Sequence, residues 1–359
     1  MPTLTGNADA CGVLRIYDTV RAAHLERMNQ FRPSMLVYRA RSYDFEEGEL
    51  TANITRRAGR LRTMAAIVRT RPAIVELNEP GQLNAWPSTL LYTSLIRFLN
   101  MLKLRRTRIV FYAIENADTL ANLRTYRFLN NRLLIKLMRV LYVYLINSAS
   151  RVAFGTTSAM RQYQSSCPDM KPETKLFVAL PAANGSCKPK EQLAIFVGSF
   201  EERKGITKLM GAWPWCEGPG RRLILAGKGP LESEVAVWAH SRADVEVVID
   251  PPRLSIWKML EQAKVLVLFS QPEVRWREQL GLPITEGLSF GCEIVTSSES
   301  GLAAWLTASG HRVLSASATP MALASSIDAA LESPRSPQEI LASLPATDGR
   351  VEADHWLTR

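Results

Sequence analysis

Twice along the chain, short apolar runs alternate with longer stretches whose apolar positions recur at helical spacing. In the first half the runs are VLRIYD, MLVY, AIVELN, RIVFYA, RVAFGT and KLFVAL; in the second they are AIFVG, LILAG, VEVVI, VLVLFS, EIVTS and HRVL. Near-continuous apolar runs of this length read as strands buried on both faces. The stretches between them, such as ITKLMGAW, LSIWKMLEQA and PMALASSIDAALES, read as crossover helices. Strand and helix in strict alternation require a parallel sheet covered by helices, so two such series predict two α/β domains.

A length of 359 residues fits two ordinary cores better than one. PAANGSCKPK (181–190) has two prolines, a glycine and no apolar periodicity, as a linker needs. The expected division is an N-terminal domain over 1–182, a linker over 183–192, a C-terminal domain over 193–335 and a tail over 336–359.

Apolar residues at 47% and charged residues at 22% exclude a disordered or fibrous chain. No window of about 18 apolar residues occurs, and MPTLTGNADACG is not a secretory leader, so a protein neither secreted nor membrane-spanning is expected. The five cysteines (Cys11, Cys167, Cys187, Cys216, Cys292) form no CxxC pair, which suits a reduced, cytoplasmic setting. His24, His240, His311 and His355 show no metal-ligand spacing, so no protein-held metal and no other cofactor is expected.

The net charge of +10 is uneven: residues 1–190 carry 28 Lys and Arg against 13 Asp and Glu, and residues 191–359 carry 16 against 21. The first half therefore meets something acidic. No nucleic-acid-binding motif is visible, which leaves an anionic membrane surface or a phosphate-bearing acceptor. NRLLIKLMRVLYVYLIN (131–147) places Arg132, Lys136 and Arg139 beside apolar residues on one helix, and KLRRTR (103–108) adds basic residues nearby in sequence. A core helix with a solvated basic edge and a membrane-surface contact both fit that pattern.

The chemistry concentrates after VLVLFS (265–270): a polar loop, then Gly281-Leu282-Pro283, then a predicted helix ITEGLSF ended by Gly291. Ligands of open parallel sheets sit at such strand C-terminal ends. Pro283 suits a first helical position, Gly281 allows close backbone approach, and the N–H groups of Leu280, Gly281 and Leu282 are placed to face a phosphate. Glu278 lies in the loop and Glu286 is expected in the first helical turn, with both carboxylates available to sugar hydroxyls.

Glu278 and Glu286 with the intervening QLGLPIT resemble the E-x7-E signature of the retaining glycosyltransferases of family 4, also called glycosyl transferases group 1. Further segments resemble that family in its own order. VGSFEERKGI, with Gly198 and Lys204, is similar to its diphosphate loop, LILAGKGPLE to its G-x-G-P turn (Gly227, Gly229, Pro230), and SSESGLAAWL to a later loop and helix. The resemblance spans roughly 190–310 and implies the GT-B fold: two Rossmann-like parallel-sheet domains facing across a cleft. It further implies that Glu286 binds the nucleotide ribose, Glu278 contacts the transferred sugar, Lys204 neutralises the departing diphosphate, and the backbone near Ile249 and Asp250 meets the base. The tail, including HWLTR, would cross back onto the first domain.

Two departures stand out. The family's arginine after the first-loop glycine is Ser199 here, with Arg203 displaced beside Lys204. The N-terminal domain lacks the glycine-rich first turn and the histidine after the fourth strand; Glu115 and Asn116 stand about there, making Glu115 a candidate contact, although a carboxylate capping a following helix fits equally. His24, Trp213, Trp215, Cys216 and Cys292 read chiefly as packing or surface residues.

The expected activity is transfer of a sugar, with retention, from a nucleotide-diphosphate donor to a cell-envelope glycan or lipid-linked acceptor. The alternatives are a catalytically degenerate relative that binds without turnover and a nucleotide-sugar epimerase. No nucleic acid partner is expected, and the protein is placed in the cytoplasm or at the inner face of the cell membrane.

Overall fold

The computed structural model describes residues 12–28, 34–41, 55–104, 106–125, 132–183 and 189–359. Cys11, Cys187, Arg105, Asn131 and residues 184–188 of the expected linker lie outside the described residues. The chain divides into two compact units: unit 1 is Met1–Gly155 with Ala159–Phe177 and Arg350–Arg359, and unit 2 is Thr156–Ser158 with Val178–Gly349.

Unit 1 contains β1 (Val13–Val20), α1 (Ala22–Met28), β2 (Ser34–Arg41), β3 (Thr55–Arg57), α2 (Arg60–Thr70), β4 (Ile74–Leu77), α3 (Trp86–Met101), β5 (Arg108–Ala113), α4 (Thr119–Arg124), α5 (Arg132–Ser148), β6 (Arg151–Phe154), α6 (Thr157–Ser166) and β7 (Glu173–Leu176). The strands form one parallel sheet in the order β3-β2-β1-β4-β5-β6-β7, with Val13 of β1 opposite Ser34 on one side and Ile74 on the other.

Successive residues of a strand point to opposite faces, and the two faces have separate cores. Leu14, Val75, Phe111 and Phe154 look one way, toward Ile67 of α2, Ile96 of α3, Tyr142 and Leu145 of α5 and Tyr163 of α6. Their neighbours Val13, Ile74, Val110 and Ala153 look the other way, toward Ala353 and Leu357 of α14 (Gly349–Leu357). The last strand covers 173–176 rather than KLFVAL, and β3 is a three-residue strand with no apolar run to announce it.

Unit 2 contains β8 (Glu191–Val197), α7 (Ile206–Ala212), β9 (Arg222–Gly227), α8 (Glu232–His240), β10 (Val245–Ile249), α9 (Arg253–Gln262), β11 (Ala263–Leu268), α10 (Leu282–Ser289), β12 (Glu293–Ser297), α11 (Ala303–Ala308), β13 (Arg312–Leu314), α12 (Pro320–Leu331) and α13 (Pro337–Ala342). Its parallel sheet runs β10-β9-β8-β11-β12-β13, so the chain builds outward from β8 one way and from β11 the other. Loops leaving neighbouring strands in opposite directions open a crevice at the C-terminal ends of β8 and β11. Proline-led helices with side-chain caps close the unit: Thr319 caps α12 ahead of Pro320, and Ser336 makes a reciprocal box with Glu339 ahead of Pro337.

Candidate functional site

Glycines fix the backbone where β8 and β9 end. The Gly198 N–H donates to the Ala226 carbonyl at 3.0 Å, and Phe200 N–H donates to Lys228 at 2.9 Å, so the two outgoing loops run side by side. A Cβ on Gly227 would lie 1.8 Å from the Gly198 carbonyl oxygen, which only glycine avoids. Further along the β8 loop a short turn covers Glu202–Lys204, and Gly205 then adopts φ 78 to start α7. A Cβ at Gly205 would lie 1.9 Å from the Phe269 carbonyl oxygen. Gly205 therefore locks the Lys204 loop against the end of β11.

That locking brings Lys204 to Glu278. The Lys204 ammonium donates to Glu278 Oε2 at 2.6 Å, and the Ser270 hydroxyl donates to the same oxygen at 2.9 Å. Glu278 is buried, and the Lys204 side chain is 17% exposed. Beside them, Glu201 accepts from the Ser199 hydroxyl and from Arg203 Nε, each at 2.5 Å. The hydrogen bond from Arg203, joined by that from Ser199, holds the Glu201 carboxyl below its ordinary range. The Trp276 ring packs under both cations, 4.7 Å from the Arg203 guanidinium and 4.9 Å from the Lys204 ammonium.

Glu286 belongs to a different group of contacts. The helix α10 begins at Leu282, capped by Gly281 at φ 69, so Glu286 stands in the second turn and not in the first. Its Oε1 accepts from Arg253 Nε at 3.0 Å and from Trp257 Nε1 at 3.4 Å, both on α9. Asp250 takes a left-handed φ of 47, donates its N–H to the Gly227 carbonyl at 3.0 Å and pairs with Lys228 at 2.7 Å. Gly229 is equally confined, since a Cβ there would meet the Phe200 backbone at 2.7 Å.

The sequence-derived residues Gly198, Ser199, Arg203, Lys204, Gly227, Gly229 and Asp250 thus lie at or just after the C-terminal ends of β8, β9 and β10, and Glu278, Leu280, Gly281, Leu282 and Glu286 follow β11. Ser270, Glu201, Trp276, Arg253 and Trp257 were not anticipated. Ser270 closes the VLVLFS run, which reads as strand, and Trp257 lies in LSIWKMLEQA, which reads as a crossover helix; neither pattern singles out a site residue, and Glu201, Trp276 and Arg253 sit where no apolar periodicity marks them.

In unit 1, Glu115 follows β5 and its carboxylate accepts the Ala117 N–H at 3.0 Å, while the cap of α4 is Asp118. A second carboxylate lies beside it. Glu79, after β4, accepts the N–H groups of Ile114 and Glu115 at 3.1 to 3.2 Å and the Tyr163 hydroxyl at 2.8 Å. Burial, then the Glu115 carboxylate, pushes Glu79 up to about 8 against those hydrogen bonds. His24 stacks on Tyr17 at 4.2 Å, and burial with Arg27 nearby lowers it to about 3. Trp213 is buried with its indole N–H on Asp244, whereas Trp215 is exposed. Among the described residues, no group of three His, Cys, Asp or Glu side chains is placed to hold a metal.

Residues 183–342 match the family model described as "Glycosyl transferases group 1". No curated protein sequence matches the chain. Among solved structures, HepE of Anabaena in complex with UDP is similar with 14% identity and a TM-score of 0.67, over 96% of this chain and 94% of that one. The lipopolysaccharide outer core galactosyltransferase WaaB, in its apo form, is similar with 11% identity and a TM-score of 0.67, over 96% and 98%. The apo structure of OtsA is similar with 11% identity and a TM-score of 0.63, over 96% and 97%. Residues 183–342 thus match the glycosyl transferases group 1 model, on a chain with the two-sheet GT-B glycosyltransferase fold.

Proposed function

We propose that the chain transfers a sugar from a nucleotide-diphosphate donor to a cell-envelope glycan or lipid-linked acceptor, with retention at the anomeric carbon. The observation that carries this reading is the Lys204–Glu278 pair, set where β8 and β11 diverge and inside the segment that matches the glycosyltransferase model. A diphosphate arriving there competes with Glu278 for the Lys204 ammonium, which frees the carboxylate for sugar hydroxyls. Lys204 then neutralises the charge that grows on the departing nucleotide diphosphate. Trp276 keeps the cation in place, and Arg203, once exchanged from Glu201, adds a second. Glu286 takes the ribose hydroxyls, the backbone around Asp250 meets the base, and Glu115 contacts the sugar or the acceptor. The solved structures of HepE with UDP and with UDP-glucose support a nucleotide-sugar donor. Such acceptors are held at membranes, so the enzyme would work in the cytoplasm at the inner face of the cell membrane.

The test is a donor panel of UDP-, GDP- and ADP-sugars, read as nucleotide release with and without acceptor. Release from at least one donor is expected, and Lys204→Ala should lower it by about 100-fold or more, as for loss of one transition-state donor. Donor binding with no release under any acceptor would instead support a non-catalytic relative. Inverted configuration in the product, read by NMR, would overturn the retaining assignment.

A further inference from the structure

We infer that the outer surface of the α2, α3 and α5 layer is a docking face for an anionic lipid bilayer. The three helices pack side by side on the face of the unit 1 sheet that carries Leu14, Val75 and Phe111. Their outward residues face solvent together. None of the three contains an Asp or a Glu, whereas they carry seven Arg and Lys: Arg60, Arg62 and Arg69, then Arg97, then Arg132, Lys136 and Arg139. The acid-free stretch around α5 extends from Thr119 to Pro168.

This layer also holds the unit's solvent-exposed apolar side chains. Among the described residues, every exposed large hydrophobic of unit 1 lies on α2, on α5, or on α3 and the turn that follows it. On α5, Leu133, Leu137 and Val140 recur at helical spacing, 73%, 52% and 63% exposed, with Arg132, Lys136 and Arg139 alternating among them. Leu61 of α2 and Met101 of α3 are 81% and 70% exposed. Apolar side chains ringed by cations, on three helices that supply no carboxylate, match an anionic interface, where the first enter the acyl boundary and the second meet headgroups. A nucleic acid would call for exposed stacking rings, and this surface is chiefly aliphatic. Nor does the layer cross the bilayer: among the described residues, no helix is long and apolar enough to do so. This inference adds a partner to the proposed function but rests on the surface alone.

The experiment is flotation of the full chain with vesicles of phosphatidylcholine alone and of phosphatidylcholine mixed with phosphatidylglycerol. Binding is expected to the mixed vesicles only, and to fall steeply at about 0.5 M salt. The combined Arg132→Gln, Lys136→Gln and Arg139→Gln variant should bind roughly 100-fold more weakly, at about fivefold per basic group. The Leu133→Ser, Leu137→Ser and Val140→Ser variant keeps every charge and should still lose at least about tenfold, because the apolar contact is removed. Equal partitioning into both vesicle types at low salt would overturn the inference. So would undiminished flotation of the serine variant, or tighter binding to a single-stranded RNA oligonucleotide than to the mixed vesicles. Donor hydrolysis in solution should be the same in both variants and the parent, so docking and turnover are read separately.

Discussion

At the scale of single residues, the candidate donor site is built of carboxylates already occupied by cations. Glu286 is held by Arg253 and Trp257, so a ribose bound there as proposed would replace contacts instead of filling a void. Replacing Glu286 with alanine removes a charged acceptor, a loss of about 1.5–3 kcal/mol. Donor affinity by calorimetry should fall roughly 10- to 100-fold, and unaltered affinity would rule out the ribose assignment. Glu79 carries a different expectation. Its pKa rises from an ordinary 4.5 to about 8, so the folded protein holds a proton that the unfolded chain releases at lower pH. Its contribution to stability is therefore complete below about 4.5 and is lost as pH rises through 8. Denaturant midpoints of unit 1 measured between those limits should decline with pH, and Glu79→Gln should flatten the decline. An unchanged slope in that variant would show that Glu79 titrates normally.

At the scale of elements, the strands of both sheets were largely legible because parallel strands buried on both faces are written as apolar runs. The exceptions have physical causes. β3 is a short edge strand with two arginines in three residues, and β7 is Glu-Thr-Lys-Leu, with one apolar residue in four, so neither forms such a run. The start of α10 shifted because Gly281 supplies a left-handed cap that no side chain signals, and that shift moves Glu286 to the second turn. Loop positions were legible where glycine or the family motif marked them: Gly198, Lys204, Gly227 and Gly229 could be found, whereas Trp276 and Ser270 gain their meaning from chain segments distant in sequence. The glycines also provide the test at this scale. In Gly227→Ala the new methyl would lie 1.8 Å from the Gly198 oxygen, so the β8 and β9 loops must separate. Overpacking of this kind costs about 1–3 kcal/mol. A lowered melting temperature together with weakened donor binding is expected, since the β8 loop carries Lys204 and the Gly227 carbonyl holds the Asp250 N–H. Wild-type behaviour in both measurements would mean that the loops are not locked together.

At the scale of the whole molecule, the chain ends in the unit where it began, and a buried charge cluster fastens it there. Arg15 of β1 and Arg27 of α1 both pair with Glu76 of β4 and with Asp354 of α14, four side chains with at most 4% exposure. Arg15 and Asp354 are 339 positions apart in sequence, and nothing in the local pattern of either announces the contact. Two cations and two carboxylates balance, with Tyr17 adding a hydroxyl to Glu76 at 2.7 Å. Removing one carboxylate leaves two buried guanidinium groups sharing one partner, a loss of about 3–5 kcal/mol. Asp354→Ala should therefore lower the melting temperature of unit 1 by on the order of 10 °C. Calorimetry resolves the origin of the effect: the unit 1 transition should move and the unit 2 transition should stay, because all four residues belong to unit 1. Pairing Asp354→Leu with Arg27→Met removes one charge of each sign and leaves Arg15 balanced by Glu76. That double variant should recover much of the loss, since well-packed apolar replacements of a buried ion pair are often neutral. If it melts no higher than Asp354→Ala, the cluster is held by shape and not by charge balance.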